Sequence, residues 1–198
     1  MDGTLLDSAI AVPAAYVAAV RRLGGPALTG DQVVAAYAVG PPEVLLAHLL
    51  GRPLAVGESE AYYAELSGVA VAPYDGVAAT LVALRERGQP VAVFTGASNR
   101  AASMLFASAG IQVDVLIGGD EVSQPKPAAD GLLLAARRLG VAAADLGYVG
   151  DAPNDMRAAI AAGSLSAAAA WGHQYQPDEP ADRTLARPAE ALALLGPR

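Results

Sequence analysis

The chain contains no cysteine, which removes disulfide bridges, thiolate metal sites and thiol nucleophiles together and leaves the redox compartment unread. Histidine is nearly absent as well. His48 and His173 are the only two among 198 residues, too few for a histidine-rich metal site. Positive charge is also scarce: 13 lysines and arginines face 20 acids, giving a net charge of −7 and a pI near 4.7. Duplex nucleic acid and anionic membrane surfaces, which attract basic patches, are therefore poor partners. No apolar run approaches the roughly 18 residues that a bilayer-spanning helix needs. Asp2 and Asp7 also stand where a signal peptide would carry basic residues. These absences predict a cytoplasmic protein with neither nucleic-acid nor membrane partners.

What remains is globular. The chain is 54% hydrophobic and 17% charged, long enough for one good-sized core or a core with a small insert. Between residues 9 and about 70 small and apolar positions recur at helical spacing, with breaks at Gly24-Gly25-Pro26 and Val39-Gly40-Pro41-Pro42. Thr29 or Asp31 can cap a second helix running through Tyr37, and Pro42 suits the first turn of a third. A fourth is expected from Ser59 to Leu66. The segment is too long for a single crossover connection. It reads as an all-helical cap over residues 9–75, with residues 1–8 and 76–198 forming the main body.

After Asp75-Gly76 the pattern changes. Short apolar runs at 90–94, 113–117, 146–149 and 164–171 alternate with helical stretches, one of them starting at Pro127. Such alternation predicts a parallel α/β sheet, whose ligand site lies beyond the carboxyl ends of its strands. Residues 174–187 read as an exposed loop, His173 included.

Polar signatures sit at those strand ends. Thr95-Gly96 offers a hydroxyl and a backbone donor at a helix start, which suits phosphate oxygens as well as it suits simple capping. Lys126 is pinned between Pro125 and Pro127, so its ammonium projects from a stiff loop. Gly150-Asp151-Ala152-Pro153-Asn154-Asp155 sets two carboxylates four apart around a strand-to-helix turn, a donor set for a hard cation such as Mg²⁺ or a pair of helix-capping acids. At the front of the chain stands Asp2-Gly3-Thr4-Leu5-Leu6-Asp7-Ser8.

In this order and context the four signatures resemble those of the haloacid dehalogenase (HAD) superfamily, and most closely its phosphoglycolate phosphatase-like branch. The resemblance implies a Rossmann-like parallel-sheet core with a small helical cap inserted after the first motif. It implies a Mg²⁺-dependent phosphatase of small phosphate monoesters working through an aspartyl-phosphate. Asp2 would then be the general acid and base and would ligate Mg²⁺ with Asp151 and Asp155. Thr95, Gly96 and Lys126 would hold the phosphoryl group. Gly40 and Pro41 would belong to the loop by which the cap reads the substrate.

Asp2 aligns with the second aspartate of the superfamily's first motif. The attacking aspartate, with the apolar strand carrying it, would stand one residue ahead of Met1. This implies an initiation site assigned too late, and 198 residues that cannot form the covalent intermediate unaided. Two alternatives accompany the phosphatase. One is a sugar phosphomutase of the same superfamily, for which the cap offers only Arg21, Arg22 and Arg52 as cations. The other is a catalytically dead protein binding phosphate and Mg²⁺. Tyr16, Tyr37, Tyr62 and Tyr63 either face the ligand or pack between helices. The partner is a small phosphate ester, and the chain is expected to be a monomer or homodimer.

Overall fold

The computed structural model describes residues 1–194. The chain opens with a tight turn in which the amides of Thr4, Leu5 and Leu6 all donate to the Met1 carbonyl, and then enters β1 (Leu6–Asp7). Four helices follow: α1 (Ala11–Arg22), α2 (Gly30–Ala35), α3 (Pro42–Leu50) and α4 (Glu60–Ser67). The chain returns through β2 (Ala72–Pro73), which pairs antiparallel with β1. The pattern-based expectation of no strand in this region misses that pair, because two residues are too few to show a period of two.

Local chemistry sets the ends of these helices. Thr29 accepts from the Gln32 amide while the Gln32 side chain accepts from the Thr29 amide, so two otherwise orphaned donors are satisfied reciprocally. Pro42 occupies the first turn of α3, where its missing N–H costs nothing. The helix expected to run through Tyr37 stops at Ala35, and residues Tyr37–Val39 tighten into a 3₁₀ turn before Gly40. The four helices bury Tyr16, Val20, Val33, Leu45, Tyr62 and Leu66 against one another, with Tyr16 and Tyr62 stacked at 4.1 Å. The same apolar cluster continues into the body through Leu105 and Phe106.

The body is α/β: α5 (Val77–Glu86), β3 (Ala92–Phe94), α6 (Asn99–Ala109), β4 (Val115–Ile117), α7 (Asp130–Leu139), β5 (Gly147–Gly150), α8 (Pro153–Ala162), β6 (Leu165–Ala169) and β7 (Arg183–Leu185). The sequence places its four strands correctly to within a few residues, and their pairing is parallel. Three details differ. Helix α7 begins at Asp130 and not at Pro127, because the Pro125–Ala129 stretch forms a separate turn. β7 lies within the segment expected to be loop, its single buried side chain, Leu185, giving no alternation to read. These body strands form two sheets, β3-β4 and β5-β6-β7, with no backbone ladder between them.

Between these sheets the facing edges of β3 and β5 have no ladder partner among the described residues. An apolar cavity of about 200 Å³ lies there, walled by residues 91–94 and 146–149, with Leu81, Leu84 and Leu132 closing it and Met1 at its mouth. One side-chain bond crosses it, Tyr148 Oη donating to the Phe94 carbonyl at 3.4 Å.

Candidate active site

The carboxyl ends of β3 and β5 and the opening turn of the chain meet at one place. Thr4 Oγ1 donates to Asp151 Oδ1 at 3.1 Å, and Trp171 Nε1 donates to the Thr4 carbonyl at 3.0 Å. Both contacts depend on glycine. Gly3 has φ +72°, a region that favours glycine, and a side chain there would begin 2.0 Å from Asp151 Oδ2. A side chain at Gly172 would begin 2.2 Å from Asp151 Cβ and 2.4 Å from the Gly3 carbonyl. The Asp2-Gly3-Thr4 turn is thereby locked against Asp151.

Asp151 is 5% exposed. Its second oxygen accepts from the Gln174 amide at 3.0 Å. Burial pushes its pKa above the ordinary aspartate range, and the nearby Asp155 adds to the rise. Asp155 is equally buried and shifts the other way. Burial would raise it, but the Lys126 ammonium, 2.7 Å from Oδ1, and further donors hold its pKa below the usual range. The Ala152 amide at 3.0 Å is one such donor, and the Tyr148 hydroxyl also donates to Oδ1 at 3.2 Å. Burial alone would lower the Lys126 pKa; Asp155 overrides it and carries it above the normal lysine value.

Asp2 is half-buried and accepts a short hydrogen bond from Ser8 Oγ. The Met1 nitrogen lies among these groups. It is buried, which lowers its pKa, as does the charge on Lys126; Asp2, Asp155 and Asp151 act in the opposite direction. One interior point thus lies within electrostatic reach of one lysine and three carboxylates.

Thr95 directly follows β3 and is 3% exposed. Its amide donates to the Ile117 carbonyl at 3.0 Å, and its Oγ1 accepts from the Ala97 amide at 3.2 Å. Gly96 beside it borders open space. Ser98 caps α6 through the Ala101 amide. The Lys126 ammonium lies 5.4 Å from the ring centre of Phe94, the residue before Thr95, so the phosphate-binding candidates of β3 adjoin the lysine.

Gly40 and Pro41 make no hydrogen bond to this cluster among the described residues; the link is made two residues later. Glu43 accepts from Tyr63 Oη at 2.6 Å, and that oxygen lies 3.0 Å from Ser98 Oγ. Tyr16 and Tyr62 pack between helices. His173 is exposed, and its Nδ1 lies 3.3 Å from Tyr74 Oη.

Three groups here escape a reading by motif: Tyr148, Gln174 and Glu43. One carried a usable signal, since Tyr148 is the only side chain with a polar tip in the Gly147–Gly150 strand.

Mg²⁺ coordination calls for one or two carboxylates, with water and substrate oxygens completing the shell. Among the described residues no three acidic or histidine groups gather into a ready-made metal cluster. Asp151 receives one hydrogen bond on each oxygen and so keeps lone pairs for a cation, and the Asp2 backbone carbonyl would be the second protein ligand, leaving the Asp2 carboxyl for proton transfer. The donor set fits Mg²⁺ through these two residues. Asp155 is committed to Lys126, Tyr148 and the Ala152 amide.

A buried threonine hydroxyl, a buried lysine and clustered carboxylates stand together at the strand ends of a parallel α/β body, an arrangement of the hydrolase class. Residues 1–163 match the family model of haloacid dehalogenase-like hydrolases, and the chain belongs to that family. Among curated relatives, a phosphoglycolate phosphatase of Xanthomonas campestris pv. campestris (strain 8004) is 37% identical over 187 residues, covering 91% of this chain and 85% of that protein. The phosphoglycolate phosphatase of Escherichia coli (strain K12) is 31% identical over 204 residues, covering 88% and 81%. Two solved structures share the fold. A predicted phosphoglycolate phosphatase from Haemophilus somnus 129PT superposes with a TM-score of 0.79 at 21% identity, over 98% of this chain and 94% of that one. CbbY from Rhodobacter sphaeroides in complex with phosphate gives 0.80 at 22%, over 96% and 92%. No helix among the described residues is long and apolar enough to cross a membrane.

Proposed function

We propose that this site hydrolyses small phosphate monoesters, with the α1–α4 unit, within residues 9–75, as a cap over it. The observation that carries the reading is the locking of the Asp2-Gly3-Thr4 turn against Asp151 beside the Lys126–Asp155 pair, with Thr95 at the adjoining strand end. Relatives named phosphoglycolate phosphatase across most of the chain's length support it.

In this reading Thr95 Oγ1, the amides around Gly96 and the Lys126 ammonium hold the phosphoryl oxygens. Asp155 and Tyr148 aim the lysine. An attacking carboxylate bonds to phosphorus as the bond to the leaving oxygen breaks, and Asp2, oriented by Ser8, gives that oxygen its proton. Asp2 then takes a proton from water, whose oxygen attacks phosphorus, releasing phosphate and restoring the carboxylate. Mg²⁺ held by Asp2 and Asp151 would offset the charge of carboxylate and phosphate brought together.

The attacking carboxylate belongs, in this proposal, on a residue directly ahead of Met1, at the end of a strand seated between β3 and β5. The unpartnered edges and the apolar cavity support that placement. The 198 residues alone should therefore bind phosphate and Mg²⁺ yet leave p-nitrophenyl phosphate unhydrolysed. A chain extended by four apolar residues and an aspartate ahead of Met1 should turn it over. Robust turnover by the unextended chain would refute the role given to Asp2, and no phosphate-dependent thermal stabilisation of either chain would refute the site.

A further inference from the structure

The helical unit meets the strand-end cluster with hydroxyls and a carboxylate. Glu43 lies in the first turn of α3, two residues past Pro41, and is exposed. Its Oε1 accepts from Tyr63 Oη at 2.6 Å. With its proton committed there, the Tyr63 oxygen accepts from Ser98 Oγ at 3.0 Å, and Ser98 stands three residues beyond Thr95. The Glu43 carboxylate is thus one tyrosine hydroxyl away from the loop that would hold phosphate, and Oε2 accepts no hydrogen bond among the described residues. The phenols of Tyr37 and Tyr62 lie within electrostatic reach of Asp2; burial foremost, and then that charge, keeps them neutral donors.

The cations of the unit are directed elsewhere. Arg22 lies 3.7 Å from Glu65, and Arg52 pairs with Glu58 at 2.6 Å. Arg21 and Arg22 border a groove between α1 and α2, and Arg22 also lines a second pocket with Tyr63 and Arg100. Arg100 of the body lies over the Tyr63 ring at 3.9 Å, is held by both oxygens of Glu60 and is within electrostatic reach of Glu43. A carboxylate or second phosphate on the leaving group would approach Glu43 with Arg100, the cation that reaches it, already paired to Glu60, whereas a hydroxyl or ammonium would find acceptors.

We propose that Glu43, fixed by Tyr63 and Ser98, determines specificity by favouring phosphate esters with neutral, hydroxyl-bearing or cationic leaving groups over those carrying a second anionic group. This rests on the phosphatase reading of the same site and narrows its substrate class. Like-charge placement of this kind discriminates by penalising the wrong ligand.

Calorimetric titration of the 198-residue chain in Mg²⁺ with 2-phosphoglycolate, 2-hydroxyethyl phosphate and O-phosphoethanolamine tests it, because the three differ mainly in leaving-group charge. At low salt the last two should bind roughly fivefold or more tightly than the first, and the gap should shrink as salt rises. Glu43→Gln should close the gap by tightening 2-phosphoglycolate, leaving 2-hydroxyethyl phosphate within about twofold. Wild-type chain that binds 2-phosphoglycolate as tightly as the neutral ester overturns the proposal. So does a Glu43→Gln variant that shifts all three esters alike, the mark of a merely structural role. If neither the esters nor inorganic phosphate bind, the phosphatase reading fails and this inference falls with it.

Discussion

The helical unit and the α/β body are packed differently. In the unit, four helices close around stacked Tyr16 and Tyr62, with Leu45 and Leu66 each 2% exposed beside them. In the body, two parallel sheets face each other across unpaired strand edges and an apolar cavity, bridged by one tyrosine hydroxyl. The chemistry-bearing groups belong to the second region. Asp155 lines the slot and is paired with Lys126, and Asp151 is buried nearby. The body therefore has the most to gain from added structure, and the helical unit the most to lose from any removed.

Two changes should sharpen that contrast most. The chain extended ahead of Met1 should bury at least two aliphatic side chains, at about 2 kcal/mol each. The resulting gain of about 4 kcal/mol should raise the melting temperature by roughly 8–16 °C in calorimetry. An unchanged melting temperature would mean that the slot does not accept a strand. Lys126→Met should cost about 3–5 kcal/mol in urea unfolding at pH 7, because it leaves the Asp155 carboxylate buried without its counter-ion.

Paired truncations probe the packing directly. Leu45→Ala, inside the helical unit, should cost about 3 kcal/mol, while Leu81→Ala, on the wall of the cavity, should cost about 1 kcal/mol. Equal losses at both positions would erase the distinction.

A smaller effect concerns acid. The folded pKa of Asp155 lies below its unfolded value, so its stabilising contribution is complete above the ordinary aspartate range, near pH 4. It is lost as pH falls through the lower folded value. Wild-type stability should accordingly fall on acidification below about pH 5 more steeply than that of Lys126→Met, in which the depression is relieved.

Much of the fold can be read in the sequence, because its signals are local. Helix breaks at Gly24-Gly25-Pro26 and Gly40-Pro41, and apolar runs bounded by turn residues, mark the elements and the parallel class. Pairing between distant segments is not local. The two-residue strands Leu6–Asp7 and Ala72–Pro73 carry no periodicity. The site divides along the same line. Thr95, Lys126, Asp151 and Asp155 stand out by residue type at strand ends, but the bonding of Lys126 to Asp155 and of Asp151 to Thr4 needs three dimensions. So does the displacement of contact from Pro41 to Glu43, which depends on a tyrosine twenty residues further along the chain.

Gly3 and Gly172 press on Asp151 from two sides, with no room for even a methyl group. The turn that holds Asp151 is accordingly closed to redesign. A library meant to admit bulkier side chains around that aspartate would waste its diversity at positions 3 and 172.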